Sequence, residues 1–535
     1  MFLIVSGILS SNKKAKGEAW SSSGFFAALA AGLIFLVHPF NSEAVNYTVA
    51  RFSVMGGFFY LLAFYCWVRF RKTQGRGTYP YIASLLAFNL GMLSKEIVIT
   101  LPVVLWLYDL FVTQDPGTDT KPVPARRKSS FRTPPPISRT LLNWRSHIPY
   151  IPFVLTGLLP YLLIRLYSFG RATPGFQRDI VTQLFTELPV LVKHLQMFLI
   201  PIPLSSAHYT EIRETFWSFP VISSALFLLV YTIIAIVLLI SKSRTWRVIS
   251  FFMLWFYIVL LPTTIVPLND IFQENRGYLA IVTFAVIVGI AMEWGIRTKG
   301  RWLIVISMAI LITVYSAGTI KRNRIWKNTL TLWSDAVKKY PRSITANKVL
   351  GAVYLKRMKY DKAIELSKRT LQLGGQREYV VHATLGSAYM GQEKWDLALP
   401  ELKKATELYP YYTGCYVKLG VIYHTLGDFE LAERQFKAAI RLDPQGFLPY
   451  FYLGGIYASQ KRVEEAIQAY KEALSLSPAD RLLKSRLLLG SILEGIGRKT
   501  EAGEYYLQVI QKAGKGEGRL AQEARNGLER MGLLR

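Results

Sequence analysis

Long apolar runs recur through the first three fifths of the chain, and they constrain its fold more than any other feature. Runs bounded by charged residues lie near 24–38, 52–68, 79–93, 97–113, 147–168, 219–240, 248–267, 277–295 and 302–319, with a further apolar stretch at 187–203. About 20 apolar residues suffice for a helix to cross a bilayer. The sequence therefore predicts an all-α fold that begins with a polytopic transmembrane helical bundle over residues 1–320, in an integral, multi-pass membrane protein.

The basic character of the chain does not indicate nucleic-acid binding. Lys and Arg number 64 against 35 Asp and Glu, a net charge of +29, yet only 19% of the residues are charged. The basic residues form short clusters between apolar runs, where anionic membrane lipids and topology account for them. No nucleic-acid recognition module accompanies them, so we expect membrane lipids and no nucleic acid as partners. Cys66 and Cys415 lie far apart, which argues against a disulfide or a thiolate metal site.

From about residue 320 the apolar runs give way to a regular repeat. Glycines preceded by leucine recur at intervals of 35, 34, 34 and 36 residues, at Gly351, Gly386, Gly420, Gly454 and Gly490. Alanine stands twelve residues after each of them. This spacing is typical of tetratricopeptide repeats, in which small residues let paired helices approach closely. We predict a tetratricopeptide-repeat α-solenoid over 345–512, preceded by a junction at 321–344 and closed by a cap at 513–535.

Clusters of Lys and Arg between the predicted spans indicate the topology, because such clusters favour the cytoplasmic side. Five clusters begin at Lys13, Arg69, Lys121, Lys242 and Arg297. The third lies in a proline-rich stretch, 114–146, that we predict to be a disordered cytoplasmic linker. An even number of crossings between the third and fourth clusters requires the stretch at 187–203 to be re-entrant or interfacial. A tilted ordinary span is the alternative.

The last predicted span then leaves the membrane on the far side, which predicts repeats on the non-cytoplasmic side. Four cations directly after that span oppose the prediction: Lys321, Arg322, Arg324 and Lys327. Because five clusters agree and one does not, we keep the predicted orientation.

Short motifs place charged or polar side chains at the ends of predicted spans. They are His38 to Arg51 with Glu43 between them, Lys95 with Glu96, His208, and Glu274 with Arg276. The predicted topology puts all of them at non-cytoplasmic ends. Charges at a bilayer edge are costly unless they are paired or solvated, so we expect one shared polar pocket. The alternative is that each pair is a separate interfacial ion pair or anchor.

Such a pocket suits a sugar donor linked to a lipid phosphate. Arg51, Lys95 and Arg276 are the candidates for binding the phosphate, because guanidinium and ammonium groups pair with phosphate oxygens. Glu43 and Glu96 are the candidate catalytic carboxylates, since a carboxylate can deprotonate an acceptor hydroxyl. Supporting roles are assigned to the remaining polar residues of the motifs, His38, His208 and Glu274. The sequence contains no Walker loop, serine-triad order or zinc motif, so we expect no metal and no cofactor beside the lipid-linked sugar.

The motifs and the repeats together resemble membrane glycosyltransferases of the GT-C superfold with C-terminal tetratricopeptide repeats, the protein O-mannosyltransferase-like group. The resemblance is carried by His38-Pro39 to Arg51, Ser94-Lys95-Glu96 with Tyr108-Asp109-Leu110, Glu274-x-Arg276-x-Tyr278-Leu279, and the junction from Trp333 to Gly351. It implies a GT-C-like bundle, a polyprenyl-phosphate sugar donor, and transfer of a sugar such as mannose to a protein hydroxyl outside the cytoplasm.

One element of that family has no counterpart at the start of this sequence. GT-C enzymes resembling this chain carry a catalytic acidic motif in the external loop after their first span, whereas the apolar stub Met1–Ser10 leads here directly to the basic residue Lys13. We therefore expect one of two situations. Either a segment with this loop is missing from the sequence, or the protein is a non-catalytic relative.

The rival hypothesis is a non-catalytic, membrane-anchored interaction platform whose repeats bind a partner protein. The predicted groove carries small or apolar residues, and we take Val417, Val421, Leu448 and Phe451 as candidate partner-binding residues. An extended protein or peptide partner that is apolar, or read through its backbone, fits such a groove better than an acidic peptide terminus. A rigid spacer and a polymerase or ligase of surface polysaccharide remain as further alternatives.

Overall fold

The computed structural model describes residues 1–9, 24–47, 50–73, 77–113, 147–163, 179–266, 271–375, 378–476, 483–513 and 518–534. These ranges contain helices and no strand, which confirms the predicted all-α class. The chain divides into two compact units, Met1–Tyr340 and Pro341–Arg535. The predicted linker at 114–146 and the basic cluster that begins at Lys13 lie outside the described residues.

The first unit is a helical bundle. Its helices are α1 (Phe2–Leu9), α2 (Phe25–Val37), α3 (Ser42–Asn46), α4 (Arg51–Lys72), α5 (Thr78–Ser94), α6 (Leu101–Phe111), α7 (Ile148–Leu163), α8 (Ile180–Leu199), α9 (Phe219–Leu239), α10 (Arg244–Ile265), α11 (Ile281–Ile296), α12 (Arg301–Ile325) and α13 (Thr329–Lys339). Short 3-10 helices at Pro39–Asn41, Glu96–Thr100 and Glu274–Tyr278 interrupt them. The predicted polar motifs lie at or beside these interruptions.

Four helices in the described ranges are long and apolar enough to cross a bilayer, namely α4, α9, α10 and α12. The number rises to five if α2 and the segment Pro39–Asn46, which are bent by 47° relative to each other, form one broken span. Only 6% of the apolar window of α12 is buried within the protein. A helix that is apolar all round and hardly buried by protein suits a lipid environment. The nine crossings of the sequence analysis stay a prediction.

The apolar stretch at 187–203 belongs to a longer helix, α8, which contains Pro189 and is continuous from Ile180 to Leu199. Asp179 caps its first turn by accepting a hydrogen bond from the Thr182 amide at 2.6 Å. The helix ends before the second and third prolines of this stretch, which lack the amide needed to continue it. The re-entrant placement of this stretch stays a prediction.

Small residues let α2 and α11 approach each other closely. A Cβ atom on Gly289 of α11 would lie 2.4 Å from the Ala27 carbonyl oxygen and 3.2 Å from the Ala31 Cβ atom. One turn later, the Glu293 carboxylate accepts hydrogen bonds from the Gly24 and Ala27 amides at 2.7 and 3.2 Å. This carboxylate satisfies the free amides at the start of α2. Close approach and capping together fix α2, which leads into the first polar motif.

A separate polar cluster lies at the far end of α4. Asp109 of α6 lies 2.9 Å from the Arg71 Nε atom and accepts hydrogen bonds from the Trp67 indole and the Tyr150 hydroxyl. Arg71 stands 20 residues after Arg51 on α4, which is about 30 Å along the helix axis. Asp109 is therefore remote from the motifs that gather around the first turn of α4.

The second unit is a stack of helix pairs. They are α14 (Ile344–Lys356) with α15 (Tyr360–Gln372), α16 (Tyr379–Gly391) with α17 (Trp395–Leu408), α18 (Thr413–Leu426) with α19 (Phe429–Leu442), α20 (Phe447–Ser459) with α21 (Val463–Leu476), and α22 (Leu483–Gly495) with α23 (Lys499–Lys512). Each second helix also contacts the first helix of the next pair. In the segment for which the sequence predicts a cap, α24 (Gly518–Arg530) packs on α22 and α23.

The repeated glycines of this stack face a bulky side chain that stands sixteen residues later. The pairs, with the distance from a Cβ atom built on the glycine, are Gly386–Leu402 (2.7 Å), Gly420–Phe436 (2.6 Å), Gly454–Tyr470 (2.9 Å) and Gly490–Tyr506 (2.8 Å). In the first helix pair Ser367 occupies that position, and a Cβ atom on Gly351 would meet its hydroxyl at an ordinary 3.5 Å. Glycine is thus required in those pairs where a large side chain covers the first helix.

Candidate functional site

A buried carboxylate, Glu274, is the centre of a polar cluster in the first unit. Its side chain is fully buried. Its Oε1 atom accepts hydrogen bonds from the Ser205 amide at 2.6 Å and from His208 Nε2 at 2.8 Å. Its Oε2 atom lies 3.4 Å from the Arg322 guanidinium. Three parts of the chain that are distant in sequence therefore meet at one carboxylate.

A second buried carboxylate, Glu43, lies directly beside the first. Glu43 is 3% exposed, and its Oε2 atom accepts a hydrogen bond from the Glu274 backbone amide at 3.1 Å. Two carboxylates so close together repel each other unless cations offset their charge. Arg322 and Arg276 both lie near enough to Glu43 to do so. The two carboxylates, 231 residues apart in sequence, form one buried pair.

Arg322, near the end of α12, is the cation that pairs with Glu274. Its side chain is 3% exposed, donates a hydrogen bond to the Leu204 carbonyl at 2.9 Å and lies 3.6 Å from Asp335. A buried guanidinium needs partners on several sides to offset its desolvation. In sequence, Arg322 is one of four cations that follow the last predicted span, whereas the structure buries it in an ion-pair network.

Side chains at the end of α13 close the cluster. The Lys339 ammonium lies 2.6 Å from the Asp335 carboxylate and donates to the Leu204 carbonyl at 2.7 Å. The Tyr340 hydroxyl, directly after α13, lies 2.9 Å from His208 Nδ1. The helix α13 thus brings an acid, a base and a phenol to the segment that contains His208.

His208 is bound through both of its ring nitrogens, to Glu274 and to Tyr340. Burial lowers the pKa of His208, although the hydrogen bond and charge of Glu274 oppose this effect. Burial, with a contribution from the charge of Glu274, raises the pKa of Tyr340 to about 12. His208 and Tyr340 are therefore both neutral at pH 7, and the imidazole can accept a proton.

Lys193 of α8 places a further positive charge at the edge of the cluster. Its ammonium lies 4.5 Å from the centroid of the Phe272 ring and 5.4 Å from that of the Tyr340 ring. Aromatic faces attract a cation at such distances. Lys193 also lies close enough to Glu274 to interact with it electrostatically.

The structure brings three of the predicted site residues, Glu43, His208 and Glu274, into this cluster. A fourth, Arg276, is half-buried on the same 3-10 helix as Glu274, and it donates a hydrogen bond to the Ile271 carbonyl at 3.2 Å. Residues that the sequence places in three separate motifs are therefore adjacent in space.

Lys95, Glu96 and Arg51 lie outside the buried cluster. Lys95 and Glu96 form an ion pair of 3.6 Å whose side chains are 32% and 52% exposed. Arg51 is exposed, and its Nε atom donates to the Val45 carbonyl at 3.4 Å. These three residues remain accessible to a ligand in solution or in the headgroup layer.

The exposed residues nevertheless flank the same part of α4 as the cluster does. A Cβ atom on Gly56 would lie 2.8 Å from the Lys95 Cβ atom, and one on Gly57 would lie 2.7 Å from the Tyr278 ring. Both glycines stand within two turns of Arg51. The first half of α4 therefore packs between the Lys95 motif and the Glu274–Tyr278 turn.

His38 ends α2 and takes no direct part in the cluster. Its Nε2 atom donates a hydrogen bond to the Phe198 carbonyl at 3.0 Å, and its Nδ1 atom accepts one from the Phe40 amide at 3.2 Å. Its ring centroid lies 4.4 Å from that of Tyr315. His38 thus stabilises the bend that leads to α3, the helix of Glu43.

The four predicted groove residues lie on the first helices of two neighbouring repeats, α18 and α20, which contact each other. Val417 and Val421 are half-buried against the core of the stack. Leu448 is 44% exposed, and Phe451 is half-buried with its ring centroid 5.9 Å from that of Tyr470. Leu448 is thus the most accessible of the four.

Five members of the cluster are not among the residues that the sequence motifs predict: Lys193, Arg322, Asp335, Lys339 and Tyr340. Asp335 and Lys339 are four residues apart, a spacing that favours an ion pair on a helix, but this pattern is common on surfaces. In the described ranges, no group of three or more His, Cys, Asp or Glu residues is arranged to hold a metal ion.

Comparison with known families confirms the repeats. Residues 384–446 and 417–481 match one tetratricopeptide repeat family, and residues 483–511 match a second. The helix pair α14–α15 precedes the matched residues but packs in the same way.

Curated relatives show a more distant similarity. The chain is 28% identical over 200 residues to a Mus musculus protein described as protein O-mannosyl-transferase TMTC2, and 28% identical over 187 residues to the Homo sapiens counterpart. A Xenopus laevis tmtc2 protein is 37% identical over 87 residues. These matches cover 35%, 33% and 16% of this chain and 22%, 21% and 10% of the relatives. The chain therefore corresponds to about a fifth of the length of the two longer matches.

The solved structures that match this chain cover about a third of it. A crystal structure of MamA is 25% identical over 30% of this chain and 94% of its own, with a TM-score of 0.28. YrrB, described as a TPR protein with an unusual peptide-binding site, is 15% identical over 36% and 97%, with a TM-score of 0.30. The pilF protein of Pseudomonas aeruginosa is 19% identical over 39% and 93%, with a TM-score of 0.33.

Proposed function

We propose that this chain is a membrane glycosyltransferase-like protein. It transfers a sugar such as mannose from a polyprenyl-phosphate donor to an acceptor on the non-cytoplasmic side, and its repeats bind the acceptor or a partner protein. The observation that carries the proposal is the buried pair of Glu43 and Glu274, which lies with His208 and Arg276 at the end of α4 that Lys95 flanks. Similarity to the TMTC2 proteins supports it.

The proposed transfer needs a cation for the leaving group and a proton acceptor. The acceptor oxygen attacks the anomeric carbon, and the carbon–oxygen bond to the phosphate breaks with its electron pair staying on the polyprenyl phosphate. Arg51, Lys95 and Arg276 supply positive charge for the departing phosphate. Glu43 and Glu96 are the carboxylates proposed to orient the donor or the acceptor for this step.

The proposed arrangement is a multi-pass, GT-C-like bundle with non-cytoplasmic repeats. The burial of Arg322 supports this orientation, because an ion-paired buried cation does not act as a surface charge in the positive-inside rule. Of the four cations that opposed the orientation, three remain at the surface.

Consumption of polyprenyl-phosphate mannose by membranes that contain the full-length chain tests the proposal. Arg276→Gln and Lys95→Met should each lower the rate, by about 100-fold if the cation stabilises the transition state as strongly as a typical oxyanion donor. Lys404→Met, an exposed change on the repeats, is the matched control and should leave the rate unchanged. Equal rates in all variants, or no consumption by the wild type, would show the donor proposal to be wrong.

The second candidate function is the non-catalytic interaction platform. Mutual pairing of Glu274, Arg322, Asp335 and Lys339 favours it, since such a network also serves to hold helices together. The accessible Leu448 on the first helices of the repeats favours it as well.

A pair of leucine substitutions separates the two functions. Leu448→Lys places a charge in the predicted groove, whereas Leu431→Lys places one on a second helix of the stack, where leucine is similarly exposed. If the chain is a platform, Leu448→Lys should abolish its cellular phenotype while Arg276→Gln preserves it. The reverse pattern favours the transferase.

A further inference from the structure

We infer that Tyr340, His208 and Glu274 form a proton relay whose outer end, the Tyr340 hydroxyl, accepts the proton of the incoming acceptor hydroxyl. The inference rests on the proposed function and deepens it, because it gives the transfer a route by which the acceptor proton leaves. It adds Tyr340, to which the sequence motifs assign no role.

Two consecutive hydrogen bonds make the relay continuous. The Tyr340 oxygen lies 2.9 Å from His208 Nδ1, and His208 Nε2 lies 2.8 Å from Glu274 Oε1. Both distances lie within the range over which side chains exchange protons. No gap that would need a bridging water separates the three groups.

The partners of His208 determine which way its protons point. The carboxylate oxygen of Glu274 accepts hydrogen bonds, so Nε2 carries the ring proton of the neutral imidazole. Nδ1 is then the acceptor, and the Tyr340 hydroxyl donates to it. The Tyr340 oxygen keeps lone pairs with which it can accept a hydrogen bond from an incoming hydroxyl.

Exposure decides which member of the relay meets the substrate. The side chains of His208 and Glu274 are 1% and 0% exposed, whereas Tyr340 is half-buried. Glu43 offers no alternative route, because it is 3% exposed and its Oε2 atom is bound to the Glu274 amide. A proton from outside therefore reaches the buried acids through Tyr340.

The relay creates a positive charge on His208. Burial, Lys193 and Arg322 lower the pKa of His208 and so oppose this charge, whereas the hydrogen bond and charge of Glu274 favour it. Lys193 lies over the Tyr340 ring and offsets partial negative charge on the Tyr340 oxygen during the transfer. Arg322 holds Glu274 from the other side at 3.4 Å. Because the pKa of Tyr340 is raised to about 12, its oxygen does not remain ionised and must receive the acceptor proton as it gives up its own.

The transfer step balances as follows. The acceptor O–H bond breaks as its proton moves to the Tyr340 oxygen, while the original Tyr340 proton moves to His208 Nδ1. The acceptor oxygen keeps the electron pair and forms the bond to the anomeric carbon. His208 becomes an imidazolium that is paired with Glu274, and the polyprenyl phosphate leaves with the electrons of its bond to the sugar.

A spectroscopic test needs no turnover. In the full-length protein labelled with 15N-histidine, wild-type His208 should carry its proton on Nε2, with the resonances assigned by their loss in His208→Gln. Tyr340→Phe keeps the ring and removes the hydroxyl, so the Nδ1 resonance should shift as its hydrogen bond is lost. A wild-type His208 that is protonated on Nδ1 overturns the relay.

A kinetic test uses the consumption of polyprenyl-phosphate mannose. Tyr340→Phe should lower kcat by about 100-fold or more and leave the KM for the donor within about twofold. Adding His208→Gln to Tyr340→Phe should cost little more, because members of one relay act as a unit. Tyr47→Phe is the matched control, since Tyr47 is 44% exposed and packs on Trp326 outside the relay.

The outcomes separate the relay from the proposed function. Wild-type kinetics in Tyr340→Phe, beside an active wild type, overturn the relay and leave the transferase standing. A loss of kcat that is matched by an equal rise in KM and a lower melting temperature shows a merely structural role and also overturns the relay. Absence of consumption by the wild type overturns both.

Discussion

An ion pair in the first unit of the chain and one in the repeats differ in how far they are exposed to solvent. In the first unit, the side chains of Arg322 and Glu274 are 3% and 0% exposed, whereas those of Lys404 and Glu407 in the repeats are 52% and 64% exposed. A buried ion that loses its partner keeps its full desolvation cost, while an exposed one returns to water. Buried charge pairing therefore adds to apolar helix packing in the first unit, whereas the exposed pair of the repeats adds little to the packing of the second.

Removing the buried guanidinium should produce the largest effect. Arg322→Met removes the guanidinium that pairs with Glu274 and lies near Glu43, and it should destabilise the first unit by about 3–5 kcal/mol. Thermal unfolding in detergent measures the change. Arg324→Met, an exposed change two residues further along α12, is the control and should leave the melting temperature unchanged. Equal melting temperatures for both variants would contradict the role of burial.

Helix packing in the first unit is the next contact to break. Gly289→Ala places a methyl group against the Ala27 carbonyl oxygen. It should lower the free energy of unfolding by about 1–3 kcal/mol, because a backbone atom cannot move away as a side chain can. Gly32→Ala on α2 meets only ordinary contacts at 3.7 Å and serves as its control. The same unfolding measurement should separate the two, and a harmless Gly289→Ala would refute the close approach of α2 and α11.

In the repeats, the same substitution should act according to the side chain sixteen residues later. Gly420→Ala meets the Phe436 ring at 2.6 Å and should destabilise the stack by about 1 kcal/mol. Gly351→Ala faces Ser367 at 3.5 Å and should be neutral or stabilising by up to about 1 kcal/mol, since alanine is the better helix former. Urea unfolding that ranks these variants in the reverse order would contradict the packing argument.

An exposed ion pair should give the smallest effect. Lys437→Met removes the cation that lies 2.7 Å from Glu433, one turn earlier on α19, and should cost about 0.3–0.5 kcal/mol, less in high salt. Urea unfolding at two salt concentrations measures it, with Lys404→Met as a second exposed site. A loss as large as that of Arg322→Met would break the contrast between the units.

The pH dependence of this pair has a definite sign. Burial acts to raise the pKa of Glu433, but hydrogen bonds from Lys437 and Arg462 outweigh it and hold the pKa below its usual value. A lowered folded-state pKa stabilises the protein above the unfolded value of about 4.3, and the contribution is lost as the pH falls further. The difference between the wild type and Lys437→Met should therefore vanish in acid.

The repeats are readily predicted from sequence because their contacts recur at a fixed spacing. Gly420 and Phe436 stand sixteen residues apart, and the same interval returns in the pairs that contain Gly386, Gly454 and Gly490. A packing contact that recurs at a fixed interval along the chain produces a periodic pattern in the sequence.

The cluster could be predicted only in part, since its members are far apart along the chain. The motifs around Glu43 and Glu274 were found because both interrupt apolar runs, and a shared side of the membrane was the only argument for joining them. Arg322 looks in sequence like the exposed cations beside it, and its burial follows from tertiary contacts with Leu204 and Asp335. No sequence pattern marks Tyr340 as a site residue, because a tyrosine beside the end of a helix is common.

The first helix pair of the stack lacks the large side chain that fills its neighbours, because Ser367 stands opposite Gly351. A linear array held by nearest-neighbour contacts frays from its least filled terminus. Amide protons of α14 and α15 should accordingly exchange with solvent before those of α18 and α19. Local unfolding of the stack would then start beside Pro341, because at its other end α24 packs on α22 and α23.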